Sequence, residues 1–179
     1  MNTKLIKTNL QEVVIFKPEL FKDKRGYLIE SYNEKIYGKC LPNINFVQEN
    51  ESKSCYGVLR GLHFQKKPYQ HAKLVRVVKG EIQDVAVDIR PDSKTYGQYV
   101  SIILNDQNKR QLYIPKGFAH GFLVLSDEAI VSYKLDGYYN ENSYSGIRYD
   151  DPFFNIKWNI DNNKIILSDK DSNLPYINE

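Results

Sequence analysis

The chain has 179 residues, 41% hydrophobic and 13% aromatic, with a formal charge of +3 spread along its length. That is enough apolar mass for one sizeable core, read as a single domain over residues 1–179. No block of like charges offers a nucleic-acid arm and no apolar stretch approaches a membrane span, so polyanions and membranes are excluded as partners; a small anionic ligand suits the balance.

From the N-terminus, the first apolar run is Val13–Phe16, too short for a signal peptide, which places the chain in the cytoplasm. Val13–Phe16 is the first predicted strand. A short helical turn follows over Asn33–Tyr37, with Asn33 as its cap and Gly38 as its stop. Cys40 and Cys55 stand apart without a CxxC pair, so they suit a reducing compartment and give no disulfide framework or zinc ribbon.

Strand patterns then dominate: Phe46–Gln48, Val58–Gln65, Leu74–Val78, Ile82–Ile89, Tyr99–Leu104, Gln111–Ile114, Gly121–Leu125, Ile130–Leu135 and, after a surface turn at Asn159–Asn163, Ile165–Leu167. Lys79-Gly80-Glu81 is tight enough to predict a hairpin across Leu74–Ile89. Within it, Val85, Val87 and Ile89 share an apolar face, while Asp84, Ala86 and Asp88 share a more polar one. Many short strands without intervening helices define an all-β fold, a sandwich or barrel, and specifically a double-sheet jelly roll of the cupin kind with little helix.

By residue type alone, His63 between Leu62 and Phe64 reads as structural and Tyr133, sharing a face with Val131 and Leu135, as core. Lys73 reads as an edge charge, Asp171 as a surface acid, and Arg25 with Glu30 as an exposed pair. Longer patterns change those readings. They are Phe21-x-Asp-x-Arg-Gly-Tyr-x-x-Glu30, Phe46-Val-Gln-Glu-Asn-Glu-Ser-Lys-Ser, Gly57-Val-Leu-Arg-Gly-Leu-His-Phe-Gln65, Lys73-Leu-Val-Arg-Val and Asp84-Val-Ala-Val-Asp-Ile-Arg90. Further on come Ile114-Pro-x-Gly-Phe-Ala-His120-Gly-Phe, Tyr133-Lys134, Asp150-Asp-Pro152, Ile156-x-Trp158 and Leu167-Ser-x-Lys-Asp171.

In this order and over nearly the whole chain, they resemble the dTDP-4-dehydrorhamnose 3,5-epimerase family. The resemblance implies proton abstraction and return at the carbons flanking a sugar ketone, converting dTDP-4-keto-6-deoxy-D-glucose to dTDP-4-keto-L-rhamnose for dTDP-L-rhamnose and surface polysaccharide. It assigns His63 as the base, paired with Asp171, Lys73 as the enolate stabiliser, and Tyr133 as the acid on the opposite side. Arg60 is assigned to the pyrophosphate, with Gln48, Asn50, His120 and Lys170 as further polar contacts, and Arg25 and Glu30 to the thymine ring. No cofactor is expected, and no catalytic metal: His63, His71 and His120 include no His-x-His pair. A homodimer is implied, its N-terminal strands adding to the partner's sheet and completing the nucleotide pocket.

Some features bear on the alternatives. Tyr144 stands where the family usually carries an acid, so a single-carbon epimerase, or one for another nucleotide-linked 4-keto sugar, shares the same residues. A non-catalytic sugar-binding cupin is disfavoured by keeping His63, Lys73, Tyr133 and Asp171 together. Tyr138 and Tyr139 offer either stacking faces or ordinary packing. Finally, Arg60 and His63 are three apart, which in a regular strand turns them to opposite faces; Gly61 predicts a bulge that brings both into one site.

Overall fold

Strand segments whose alternate residues are apolar bury one face each, and two such sheets facing one another close a sandwich. The computed structural model describes residues 3–41 and 43–177 in this form. One sheet runs β1 (Thr3–Lys7), β2 (Val14–Pro18), β10 (Gln111–Ile114), β7 (Lys73–Lys79), β12 (Glu128–Leu135), β5 (Gln48–Cys55). The facing sheet runs β13 (Tyr144–Gly146), β6 (Leu59–Gln65), β11 (Phe118–Val124), β8 (Glu81–Asp88), β9 (Tyr99–Asn105). A separate hairpin joins β3 (Leu20–Asp23) to β4 (Gly26–Ile29), and two short helices, α1 (Glu34–Tyr37) and α2 (Asp169–Ser172), complete an all-β jelly roll with little helix.

Between the sheets lies the main core, with Ile15, Val75, Val77, Leu112 and Val131 from the first sheet against Ile82, Ala86, Leu104, Phe122 and Val124 from the second. Each such aliphatic side chain contributes about 1.5–3 kcal/mol on burial. The outer faces are covered as well. Phe16, Leu74 and Tyr113 pack under Tyr37 and Leu41 around α1. Leu62, Val85, Val87 and Ala119 pack under Ile147 and Phe154 of the C-terminal segment. The alternation read in β8 is therefore present with an inversion of the usual sense: its apolar face lies beneath the C-terminal segment and its polar face, Asp84 and Asp88, points into the sandwich.

The predicted hairpin across Leu74–Ile89 does not form. β7 pairs with β10 and β12, and β8 with β11 and β9, so Gly80 turns the chain from one sheet to the other. Gly80 has φ +83° and lies so close to the Glu128 carbonyl that a Cβ would meet it at 2.1 Å. Asp106 fixes this corner, accepting from the Gly80 N–H at 2.8 Å and donating its own N–H to the Gly80 carbonyl at 3.1 Å. A second difference concerns Ile165–Leu167, which makes only a single bridge, Ile166 to Val58. The strand expected at Phe46–Gln48 instead begins at Gln48 and runs to Cys55. α1 forms as its cap residues require: the Asn33 side chain accepts from the Lys35 and Ile36 N–H groups, and the Gly38 N–H closes on the Glu34 carbonyl.

Candidate functional site

The bulge at Gly61 assembles the site. β6 and β11 pair His63 with His120 and Arg60 with Phe122, so Gly61 and Leu62 on one strand face Gly121 alone on the other. The extra residue turns Arg60 and His63 to the same, inward face. Gly61 has φ +128°, and a Cβ there would lie 2.5 Å from the Gly121 Cα, so the two strands approach more closely than any other residue permits.

Inward positions of both sheets then converge on a cavity of about 110 Å³ lined by Asn50, His63, Lys73, Tyr133, Tyr139 and Tyr144, among others. A larger cavity of about 660 Å³ lies by Lys66, Arg90 and Lys116. Arg90 there is engaged by Asp88 and Glu12 and Lys116 by Asp136, and its lining holds neither a histidine nor a tyrosine.

His63 comes from β6. Its Nε2 meets Asp171 Oδ1 in a short hydrogen bond, and the carboxylate is 6% exposed. Burial pushes the Asp171 carboxyl up, but hydrogen bonds from His63 and Ser168 and the charges of His63 and Arg60 outweigh it, holding the group below the usual carboxylate range. An ionised Asp171 holds the proton on Nε2, which leaves Nδ1 as the nitrogen with a free lone pair. α2 delivers this carboxylate: Ser168 caps the helix and accepts from the Asp171 N–H at 3.1 Å.

Tyr133 comes from β12 in the opposite sheet. Tyr139 N–H donates to Gln48 Oε1 (3.1 Å), Gln48 Nε2 to Asn50 Oδ1 (3.0 Å), and Asn50 Nδ2 to the Tyr133 oxygen (3.3 Å). Because Asn50 supplies a donor, the phenol accepts there and its own proton stays available to the cavity. Gln48 and Asn50 thus both reach the site, where they orient the phenol.

Lys73 opens β7 on the strand beside Tyr133, opposite Leu135. Burial pushes its ammonium down to about 8, against the pull of Asp84. Behind it, the Lys73 ammonium donates to His120 Nδ1 at 3.4 Å, and His120 Nε2–H donates to Asp84 Oδ1 at 2.7 Å. Burial also holds His120 below its ordinary range, so it is a neutral relay with a fixed tautomer. Asp84 is not among the site residues expected from the sequence. Its signal was there in the polar face of β8, whose carboxylates need partners once that face proves to be interior.

The other expected site residues divide. Arg60 reaches Ser54 Oγ (3.0 Å) and lies near Asp171. Lys170 sits with its ammonium 3.5 Å from the centre of the Tyr144 ring. Arg25 and Glu30 do not enter this chain's cavity: Arg25 pairs with Asp23 at the tip of the β3–β4 hairpin, and Glu30 accepts from Asn33 at 3.0 Å. His71 joins the wall, pushed down to about 4 by burial and by Lys73, and so uncharged at neutral pH. Tyr138 is largely exposed and outside the cavity lining, whereas Tyr139 is part of it.

The fold is a cupin-like jelly roll, and the groups gathered in it suit an enzyme that moves protons on a small molecule: an imidazole backed by a carboxylate, a phenol from the facing sheet, and a half-buried cation. Comparison with known proteins narrows that class. The sequence profile of the dTDP-4-dehydrorhamnose 3,5-epimerase family matches residues 7–179. The dTDP-4-dehydrorhamnose 3,5-epimerase of Shigella flexneri is 51% identical over 170 residues, 94% of this chain and 93% of that protein. The enzyme of the same name from Methanothermobacter thermautotrophicus is 49% identical over 98% of this chain and 95% of its own. Among solved structures, the Legionella pneumophila dTDP-6-deoxy-D-glucose-3,5-epimerase in complex with dTDP-4-keto-L-rhamnose superposes with a TM-score of 0.96 at 45% identity, covering 99% of this chain and 94% of that one. The chain belongs to the dTDP-4-dehydrorhamnose 3,5-epimerase family.

Proposed function

We propose that this protein converts dTDP-4-keto-6-deoxy-D-glucose to dTDP-4-keto-L-rhamnose, inverting C3 and C5 in the formation of dTDP-L-rhamnose in the cytoplasm. The observation that carries the reading is that His63 with Asp171 and Tyr133 open into one cavity from opposite sheets, with Lys73 beside the phenol. The C4 ketone acidifies the neighbouring C–H bonds. His63 Nδ1 takes the proton from one face, and the imidazolium formed is stabilised by Asp171. The Lys73 ammonium, held by the His120–Asp84 relay, stabilises the enolate oxygen, and Tyr133 returns a proton from the other face. Proton exchange with water returns His63 to its neutral form and Tyr133 to its phenol, and repetition at the second carbon then completes the double inversion. Arg60 and Lys170 lie on the Asp171 side of the cavity and are suited to the diphosphate.

The protein acts as a homodimer in this reading. β1 is an edge strand with Leu5 and Ile6 exposed, and the β3–β4 hairpin exposes Phe21, Tyr27 and Leu28, apolar surface that a second copy would cover. Arg25 and Glu30, distant from their own cavity, would then serve the partner's nucleotide.

The test is incubation with the dTDP keto sugar in deuterated water. Label at both C3 and C5 is expected; label at one carbon would make it a single-carbon epimerase, and label at neither would refute the substrate. His63→Ala should block exchange at both carbons. Tyr133→Phe should retain exchange while impairing inversion, and wild-type exchange in the His63 variant would overturn the assignment of the base.

A further inference from the structure

We propose that Tyr144 is a positioning residue whose ring holds the Lys170 ammonium beside the cavity as an uncompensated cation for the substrate's diphosphate; the proposal rests on the nucleotide-sugar reading above. The Lys170 contact at 3.5 Å to the ring centroid is the shortest cation–π approach among the described residues, the others lying at 4.5–5.2 Å. Lys170 forms no ion pair among the described residues, and its neighbour Asp171 is committed to His63.

The ring itself is firmly held. Tyr144 opens β13 opposite Gln65, and the side chain of Gln65 donates to Ser143 Oγ and to the Asn140 carbonyl. The ring lies against His63 at 5.3 Å between centroids and meets Tyr139 edge-on at 6.2 Å. Lys170 is equally constrained at its base, since α2 is pinned through the Ser168 cap and the His63–Asp171 bond. The lysine is thus held at its base by α2 and at its ammonium by an uncharged ring, while the neighbouring carboxylate of Asp171 is turned to His63.

The chemical consequence follows from what an aromatic face is. A carboxylate at position 144 would also hold the ammonium, but it would neutralise it and repel the phosphates arriving beside it. The quadrupole of a phenol ring attracts the cation while leaving its full charge for the ligand. The residue that departs from the family pattern therefore leaves the anion site intact and makes it more cationic.

The experiment is calorimetric titration of the full-length protein and its Tyr144 variants with dTDP and with thymidine, which lacks the diphosphate. Tyr144→Phe is expected to bind dTDP as the unmodified protein does. Tyr144→Leu should lose about two- to fivefold in dTDP affinity. Tyr144→Glu should lose about tenfold at low salt, with the deficit shrinking as salt rises. Thymidine affinity should be unchanged throughout, and adding Lys170→Met to Tyr144→Leu should cost less than Lys170→Met does alone.

Undiminished dTDP binding by Tyr144→Glu overturns the proposal. So does a parallel loss of thymidine, which would put the ring on the base, or a loss in Tyr144→Phe, which would assign the effect to the hydroxyl. If the unmodified protein binds no dTDP, the nucleotide reading itself falls and takes the proposal with it.

Discussion

In the proposed reaction Lys73 must be charged to hold an enolate, yet burial holds it near the point where it gives up its proton. Its ammonium is pushed down to about 8, so kcat/KM is expected to fall as pH rises through about 8. Lys73→Arg keeps its charge at every accessible pH. The variant should lose that alkaline limb while turning over about a hundredfold more slowly at pH 7, because the broader guanidinium misplaces the donor. A pH–rate profile with the limb still at 8 would move the titration to another group. The same burial destabilises the fold below the limb: the unfolded lysine holds its proton up to about 10.4, so stability contributed by releasing it appears only as pH rises from 8. Lys73→Met is accordingly expected to gain about 1–2 kcal/mol at pH 7 by thermal melting while being inactive. That His63, Lys73, Tyr133 and Asp171 gather around one cavity was legible because each sits inside a long motif. Asp84 was not legible, because nothing in an alternating strand says which face is the interior, and the relay through His120 appears only when two strands of one sheet are paired.

At the scale of elements, what decides the site is a crowded glycine. Gly61→Ala would drive a Cβ to 2.5 Å from the Gly121 Cα and 2.8 Å from the His120 carbonyl, both on the backbone of β11. A loss of about 2–4 kcal/mol is expected in thermal or urea melts, with activity falling further than stability because the bulge aims both Arg60 and His63. Gly26→Ala is the control: φ is nearly the same, +129°, with nothing within 4 Å of its Cβ, so it should lose only about 1 kcal/mol. Equal losses would mean that the torsion, not the close approach, is what matters. That bulge could be anticipated from the conflict between spacing and shared function. The Gly80 corner could not, since three tight residues between β-rich runs look alike whether the chain folds back beside itself or crosses to the facing sheet. β5 was nearly invisible for a related reason: Gln-Glu-Asn-Glu-Ser-Lys-Ser-Cys has no apolar alternation, because its inward side chains, Gln48 and Asn50, serve the phenol instead of the core.

For the whole molecule, the displaced position of Arg25 makes the dimer testable through function. If the β3–β4 hairpin completes the partner's pocket, Arg25→Ala and His63→Ala dimers are each impaired, yet a mixed dimer contains one site free of both lesions. Random mixing of the two should restore about a quarter of wild-type activity. No recovery after verified subunit exchange would place Arg25 and the base in the same site or remove Arg25 from binding. The hydrogen bond between His63 and Asp171 joins residues 108 apart, and its carboxylate arrives on a helix in the last segment of the described chain. In the proposed reaction, the two sheets can therefore close before the carboxylate that would hold the imidazole is in place, and a chain cut short before Ser168 is expected to keep the sandwich and lose turnover.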